Sequence, residues 1–184
     1  IRDSPTLAEL LRGNGFATGA IVSSFVLDAK FGLDQGFVTY DDDLPTKRTA
    51  LGRLNERRAE ATTQRALAWL AAHADERAFL FVHYYDPHAA YEPPEPFATR
   101  FADDLYAGEI AYVDDCIGRL IVRLKESNLY DSSLIVVTSD HGEMRGEHGE
   151  RTHSYFVYQS AVKVPLIVKL PGSSTARRVD GVAG

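Results

Sequence analysis

The sequence predicts an α/β fold with a mainly parallel sheet flanked by helices. Two observations lead there. Residues 79–82, 134–137 and 164–168 are short, wholly apolar runs, with the length and composition of strands buried on both faces. Segments with apolar residues at three- and four-residue spacing, the mark of amphipathic helices, lie between such runs. Helices alternating with short strands give a parallel sheet. At 184 residues and 45% apolar, the chain reads as a single domain over 1–184.

The elements follow in order. Ser4-Pro5 reads as an N-cap and first helical position, with Leu7, Leu10 and Leu11 as the apolar face. Residues 18–22 read as a strand. A glycine-punctuated segment, Phe31 to Phe37, leads to Asp41-Asp42-Asp43, expected to be a solvated turn. Residues 55–73 read as a helix carrying Leu67 and Leu70, and Arg53, Arg57 and Arg58 as a solvated helix face. Residues 86–96 are proline-rich and must be loop. Tyr106, Ile110, Val113, Ile117, Leu120 and Leu124 define the clearest amphipathic helix, with Glu109, Asp114 and Asp115 as its polar side. A turn at 128–132 and a polar loop at 139–152 flank the strand at 134–137.

Composition excludes some functions. The net charge of -6 argues against a nucleic-acid partner, which requires a basic footprint. No apolar run approaches the roughly 18 residues of a transmembrane segment. Cys116, the one cysteine, cannot form an internal disulfide or a thiolate metal site, and reads as a small buried helix residue. The opening Ile1 and the tail at 179–184 lead us to expect an internal piece, incomplete at both ends.

In parallel sheets, sites form at the carboxyl ends of strands. Two of the runs end in unusual clusters: His83-Tyr84-Tyr85-Asp86-Pro87-His88, and Ser139-Asp140-His141-Gly142-Glu143 followed by His148 and His153. Two such loops are expected to converge on one pocket. Asp140 and His141 can share a cation, with Gly142 letting the backbone turn away. The residues alone equally allow an N-cap aspartate beside an exposed histidine. His88, fixed behind a proline, suits a general acid; the alternative is an exposed loop histidine stacked on Tyr91. His153 suits a donor to a developing oxyanion, or plain surface polarity. His83 reads as a hydrogen-bonded core residue, His148 as a rim residue and His73 as solvated.

Several blocks together resemble the sulfatase branch of the alkaline phosphatase superfamily. They are Thr6-Leu7-Ala8-Glu9-Leu10-Leu11 with Gly15-Phe16-Ala17-Thr18, Phe31-Gly32-Leu33-Asp34-Gln35-Gly36-Phe37 with Tyr40-Asp41-Asp42, His83-Tyr84-Tyr85-Asp86-Pro87-His88, Val137-Thr138-Ser139-Asp140-His141-Gly142-Glu143 and Val164-Pro165-Leu166-Ile167-Val168. The resemblance covers nearly the whole chain. It implies an alkaline phosphatase/sulfatase-like fold and metal-dependent hydrolysis of a sulfate ester on a small molecule or saccharide. Asp140 and His141 are then metal ligands, for Ca²⁺ as is most common in the family, or Mn²⁺ or Zn²⁺ because of the imidazole. His88 matches the family histidine that protonates the leaving oxygen. His153 falls where many members carry a sulfate-binding lysine.

The family nucleophile lies in a Cys- or Ser-x-Pro-x-Arg motif, absent here together with the upstream aspartate pair. The chain alone is therefore expected to be inactive. Relatives that hydrolyse phosphonate monoesters or phosphodiesters, or transfer phosphoglycerol, are the alternative, and a non-catalytic binding module with this fold is another. The sequence leaves the location open, with the periplasm or the outside of the cell favoured over the cytoplasm.

Overall fold

A computed structural model describes residues 4–49, 52–150 and 156–181. The chain forms two compact units, 1–123 and 124–184.

The first unit is built on a parallel sheet. Strand β1 (Ala17–Ile21) is central, flanked by β2 (Thr39–Asp41) and β5 (Ala78–Val82), both parallel to it. Strands β3 (Thr46–Thr49) and β4 (Gly52–Asn55) form a separate antiparallel pair. β1 is buried along nearly its whole length, as a central strand must be. β5 is an edge strand, so Phe81 stays 43% exposed although the run is wholly apolar. The expectation of burial on both faces therefore fails for it.

Helix α1 (Leu7–Gly13) starts two residues later than Ser4-Pro5 suggests. Thr6 is its N-cap: the hydroxyl accepts the Glu9 N–H at 3.1 Å and the Glu9 carboxylate accepts the Thr6 N–H at 2.8 Å. Leu7 and Leu10 are exposed, and Ala8 is the buried residue. Gly36 adopts φ +91° where a Cβ would lie 2.4 Å from the Glu9 nitrogen, so glycine alone fits beneath this helix. Helix α2 (Ala59–Ala72) begins after residues that the helical pattern included, because 52–55 are strand β4.

A short helix α3 (Phe97–Arg100) precedes the long α4 (Leu105–Glu126). The α4 face with the fullest burial is Gly108, Glu109, Tyr112 and Cys116, rather than the Tyr106–Ile110–Val113 stripe, and Ile110 is 45% exposed. Ala59, Tyr112 and Cys116 form a core cluster, with Tyr84, Phe97 and Val113 packed against it. Cys116 is fully buried, as expected.

The second unit pairs β6 (Ile135–Thr138) with β7 (Leu166–Lys169) in antiparallel register, Val136 opposite Val168 and Thr138 opposite Leu166. Val136, Leu166, Ile167 and Val168 are each about half exposed, so these two runs are not strands buried on both faces either. The Lys169 ammonium donates to the carbonyls of Tyr130, Asp131 and Ser133, pinning the turn before β6. Helix α5 (Gln159–Val162) is a single turn. The α/β class with a parallel sheet and flanking helices holds.

Candidate active site

The loop leaving β5 is held from both sides. Asp86 and Glu109, 4% and 1% exposed, share one cation: Arg58 meets Asp86 Oδ1 at 2.9 Å and Glu109 Oε1 at 3.3 Å. Asp86 Oδ2 accepts the Ala59 N–H at 2.8 Å, so it satisfies the first turn of α2, where Arg58 as N-cap contributes no side-chain bond. The Glu109 carboxylate accepts the backbone N–H groups of His88 at 3.0 Å and Glu92 at 2.9 Å. Burial pushes both carboxyls above their ordinary values, against the opposing pull of Arg58 and the amide donors. Glu109 is therefore no part of a polar helix side, and Arg58 no part of a solvated one.

His88 is half-buried at the head of this loop. Its ring stacks on Tyr85, centroids 4.4 Å apart, rather than on Tyr91, which meets Tyr106 edge-on. Nδ1 lies 2.7 Å from the carbonyl of Ala89 and 2.9 Å from the Tyr85 hydroxyl. His83 caps the end of β5: the Ser23 N–H donates to its Nδ1 at 3.3 Å, and the Ser23 hydroxyl donates to its carbonyl. His73 stacks on Trp69 at 4.1 Å instead of standing in solvent.

The acidic triplet at the end of β2 is only partly a solvated turn: Asp43 is exposed, while Asp41 and Asp42 are tied into the structure. Asp41 binds the buried Arg57 at 2.6 Å and Arg65 at 2.8 Å, Asp43 binds Arg65 at 3.2 Å, and Asp42 accepts the Ala29 N–H at 2.8 Å. Burial alone would raise the Asp41 carboxyl, but hydrogen bonds from Arg65 and Arg57 outweigh it and hold it below the usual range.

In the second unit, Asp140 and His141 follow β6 directly. Asp140 Oδ1 accepts the His141 N–H at 3.0 Å, and Asp140 Oδ2 faces His141 Nε2 across 3.7 Å. His141 Nδ1 meets the Gly142 carbonyl at 2.8 Å; a carbonyl only accepts, so Nδ1 carries the proton and Nε2 is the nitrogen with the lone pair in the neutral ring. Gly142 is needed for close approach rather than for a left-handed turn. A Cβ there would lie 2.1 Å from the Ser160 carbonyl oxygen, and its N–H donates to the Ala161 carbonyl at 2.7 Å. His148 adopts φ 56° and stacks on Tyr158 at 3.9 Å. His153 lies outside the described residues. Among the described residues no group of three or more His, Cys, Asp or Glu side chains is gathered as a metal cage, and no helix is long and apolar enough to cross a membrane.

The chain is 39% identical to iduronate 2-sulfatase of Homo sapiens over 83 residues, covering 45% of this chain and 15% of that protein. It is 36% identical over 75 residues to the multifunctional alkaline phosphatase superfamily protein PehA of Trinickia caryophylli, covering 38% and 13%. Its fold is similar to that of the phosphonate monoester hydrolase of Silicibacter pomeroyi, with a TM-score of 0.68 at 24% identity, over 94% of this chain and 54% of that one. The chain thus spans about half of that structure and aligns with a smaller share of the two relatives. The profile of the family described as Sulfatase matches residues 1–184, and the chain belongs to that family.

Proposed function

We propose that this chain is the part of a metal-dependent sulfuric ester hydrolase that supplies two metal ligands and the leaving-group acid. The observation that carries the reading is the Asp140–His141 pair at the end of β6, with carboxylate and imidazole 3.7 Å apart. Two donors on one tetrahedral ion stand roughly 3.4 Å apart, so the pair fits a shared cation with little movement. Two donors are only part of a ligand set, and the remainder comes from outside the described residues.

A bound divalent cation supplies Lewis-acid polarisation of the ester oxygens. Ca²⁺ suits the carboxylate; the imidazole leans toward Mn²⁺ or Zn²⁺. The protein's own groups do the rest. Asp140 and His141 would hold the ion. The nucleophile, a formylglycine hydrate from the motif that this chain lacks, attacks sulfur. The bond from sulfur to the alcohol oxygen breaks, its electron pair leaves on that oxygen, and His88 gives the proton that completes the alcohol. His153 steadies charge on the sulfuryl oxygens. A saccharide or small-molecule ester is the substrate class.

The test is turnover by the full-length protein of an aryl sulfate, the matching aryl phosphonate and the phosphodiester, with and without chelator, beside His141→Ala. Chelator-sensitive sulfate turnover lost in the variant supports the reading. Preference for a phosphorus ester retains the site and transfers the protein to that branch. Sulfate turnover unchanged by chelator and by His141→Ala overturns it.

A further inference from the structure

The His88 ring is held at Nδ1 by groups that the reading above leaves without a task. The Ala89 carbonyl, 2.7 Å from Nδ1, can accept and cannot donate, so Nδ1 carries a proton. The Tyr85 hydroxyl, 2.9 Å from the same nitrogen, therefore receives that N–H. The imidazole donates and the phenol oxygen accepts.

We propose that Tyr85 is a positioning residue that locks His88 in the Nδ1-protonated form, so that Nε2 is the nitrogen that hands its proton to the departing alcohol. The inference rests on the reading of His88 as the leaving-group acid. As the bond from sulfur to the alcohol oxygen breaks, the Nε2 proton moves to that oxygen and the ring is left neutral, still protonated at Nδ1. The Tyr85–His88 stack, with rings 22° from parallel, limits ring rotation, and the Glu109 carboxylate holds the His88 backbone from the opposite side. Burial keeps the phenol itself a poor acid, its value pushed up to about 12, so it remains a hydrogen-bond acceptor and loses no proton during turnover.

Tyr85→Phe removes the hydroxyl while keeping the stacked ring. The experiment compares kcat and KM of full-length wild type, Tyr85→Phe, His88→Asn and the Tyr85→Phe/His88→Asn double variant. The substrates are aryl esters of the class turned over, from 4-nitrophenyl, whose oxygen departs without a proton, to unsubstituted phenyl, whose oxygen needs one. In Tyr85→Phe, kcat on the phenyl ester is expected to fall by about tenfold more than on the 4-nitrophenyl ester, with KM unchanged. Tyr85→Phe is expected to have little further effect once His88 is gone. Equal losses on both esters, or additive losses in the double variant, overturn the inference. If His88→Asn itself shows no dependence on the leaving group, the acid role of His88 falls, and the inference with it.

Discussion

The Glu109 carboxylate accepts the His88 backbone N–H at 3.0 Å from a position 1% exposed, on a helix 21 residues away in sequence. Removing that carboxylate strands the N–H groups of His88 and Glu92 and takes one of two carboxylate partners from Arg58. Glu109→Ala should therefore destabilise the protein by about 3–5 kcal/mol, the range for breaking a buried ion pair. Urea unfolding of the variant against wild type checks this; a change under about 1 kcal/mol, no more than an exposed ion pair contributes, contradicts the clamp.

The same carboxyl has a definite pH signature. Burial raises its folded value above that of the unfolded chain, about 4.3. Its contribution is fully present below the unfolded value and is lost as pH rises through the folded one. Relative to wild type, Glu109→Gln should gain stability between about pH 4 and pH 7. Denaturant midpoints across that window measure the slope, and a slope of opposite sign refutes it.

Asp41 behaves in the opposite sense. Its folded value is held down by Arg65 and Arg57 against burial, so its stabilisation is present above the unfolded value, about 3.9, and lost as pH falls through the folded one. Asp41→Asn should be less stable than wild type at pH 7, with the gap closing in acid. Thermal melts at pH 7 and pH 3 make the comparison.

Gly142→Ala should push the loop after β6 away from Ser160, since its Cβ would fall 2.1 Å from that carbonyl oxygen. Overpacking of this kind costs about 1–3 kcal/mol. The more telling result is metal content: because Gly142 also accepts the His141 Nδ1 proton through its carbonyl, the variant should retain less metal per chain after dialysis than wild type. Metal analysis of the purified full-length protein reads this directly.

How much of this the sequence revealed depends on what each residue's partner is. Cys116 could be assigned to the core because one cysteine on a helix has few roles, and the strand-end placement of His88, Asp140 and His141 followed from the rule about carboxyl ends of strands. Glu109 could not be placed. A charged side chain on an amphipathic helix reads as solvated, and only the fold brings the His88 and Glu92 amides to it. Arg57 and Asp41 were misjudged for the same reason: each looked like one member of a charged cluster, and their burial depends on a contact across 16 residues. The strands 135–138 and 166–169 looked fully interior because apolar composition reports what a segment can bury, not how many neighbours it has.

Asp86 ties the first turn of α2 to the His88 loop through the Ala59 amide. That amide is thereby a local clock. Its proton can exchange with solvent deuterium only when Asp86 lets go, and Asp86 lets go only when the loop lifts. The exchange rate at Ala59, followed by NMR, counts how often the loop carrying His88 opens, and a ligand that settles on His88 should slow it without touching α2.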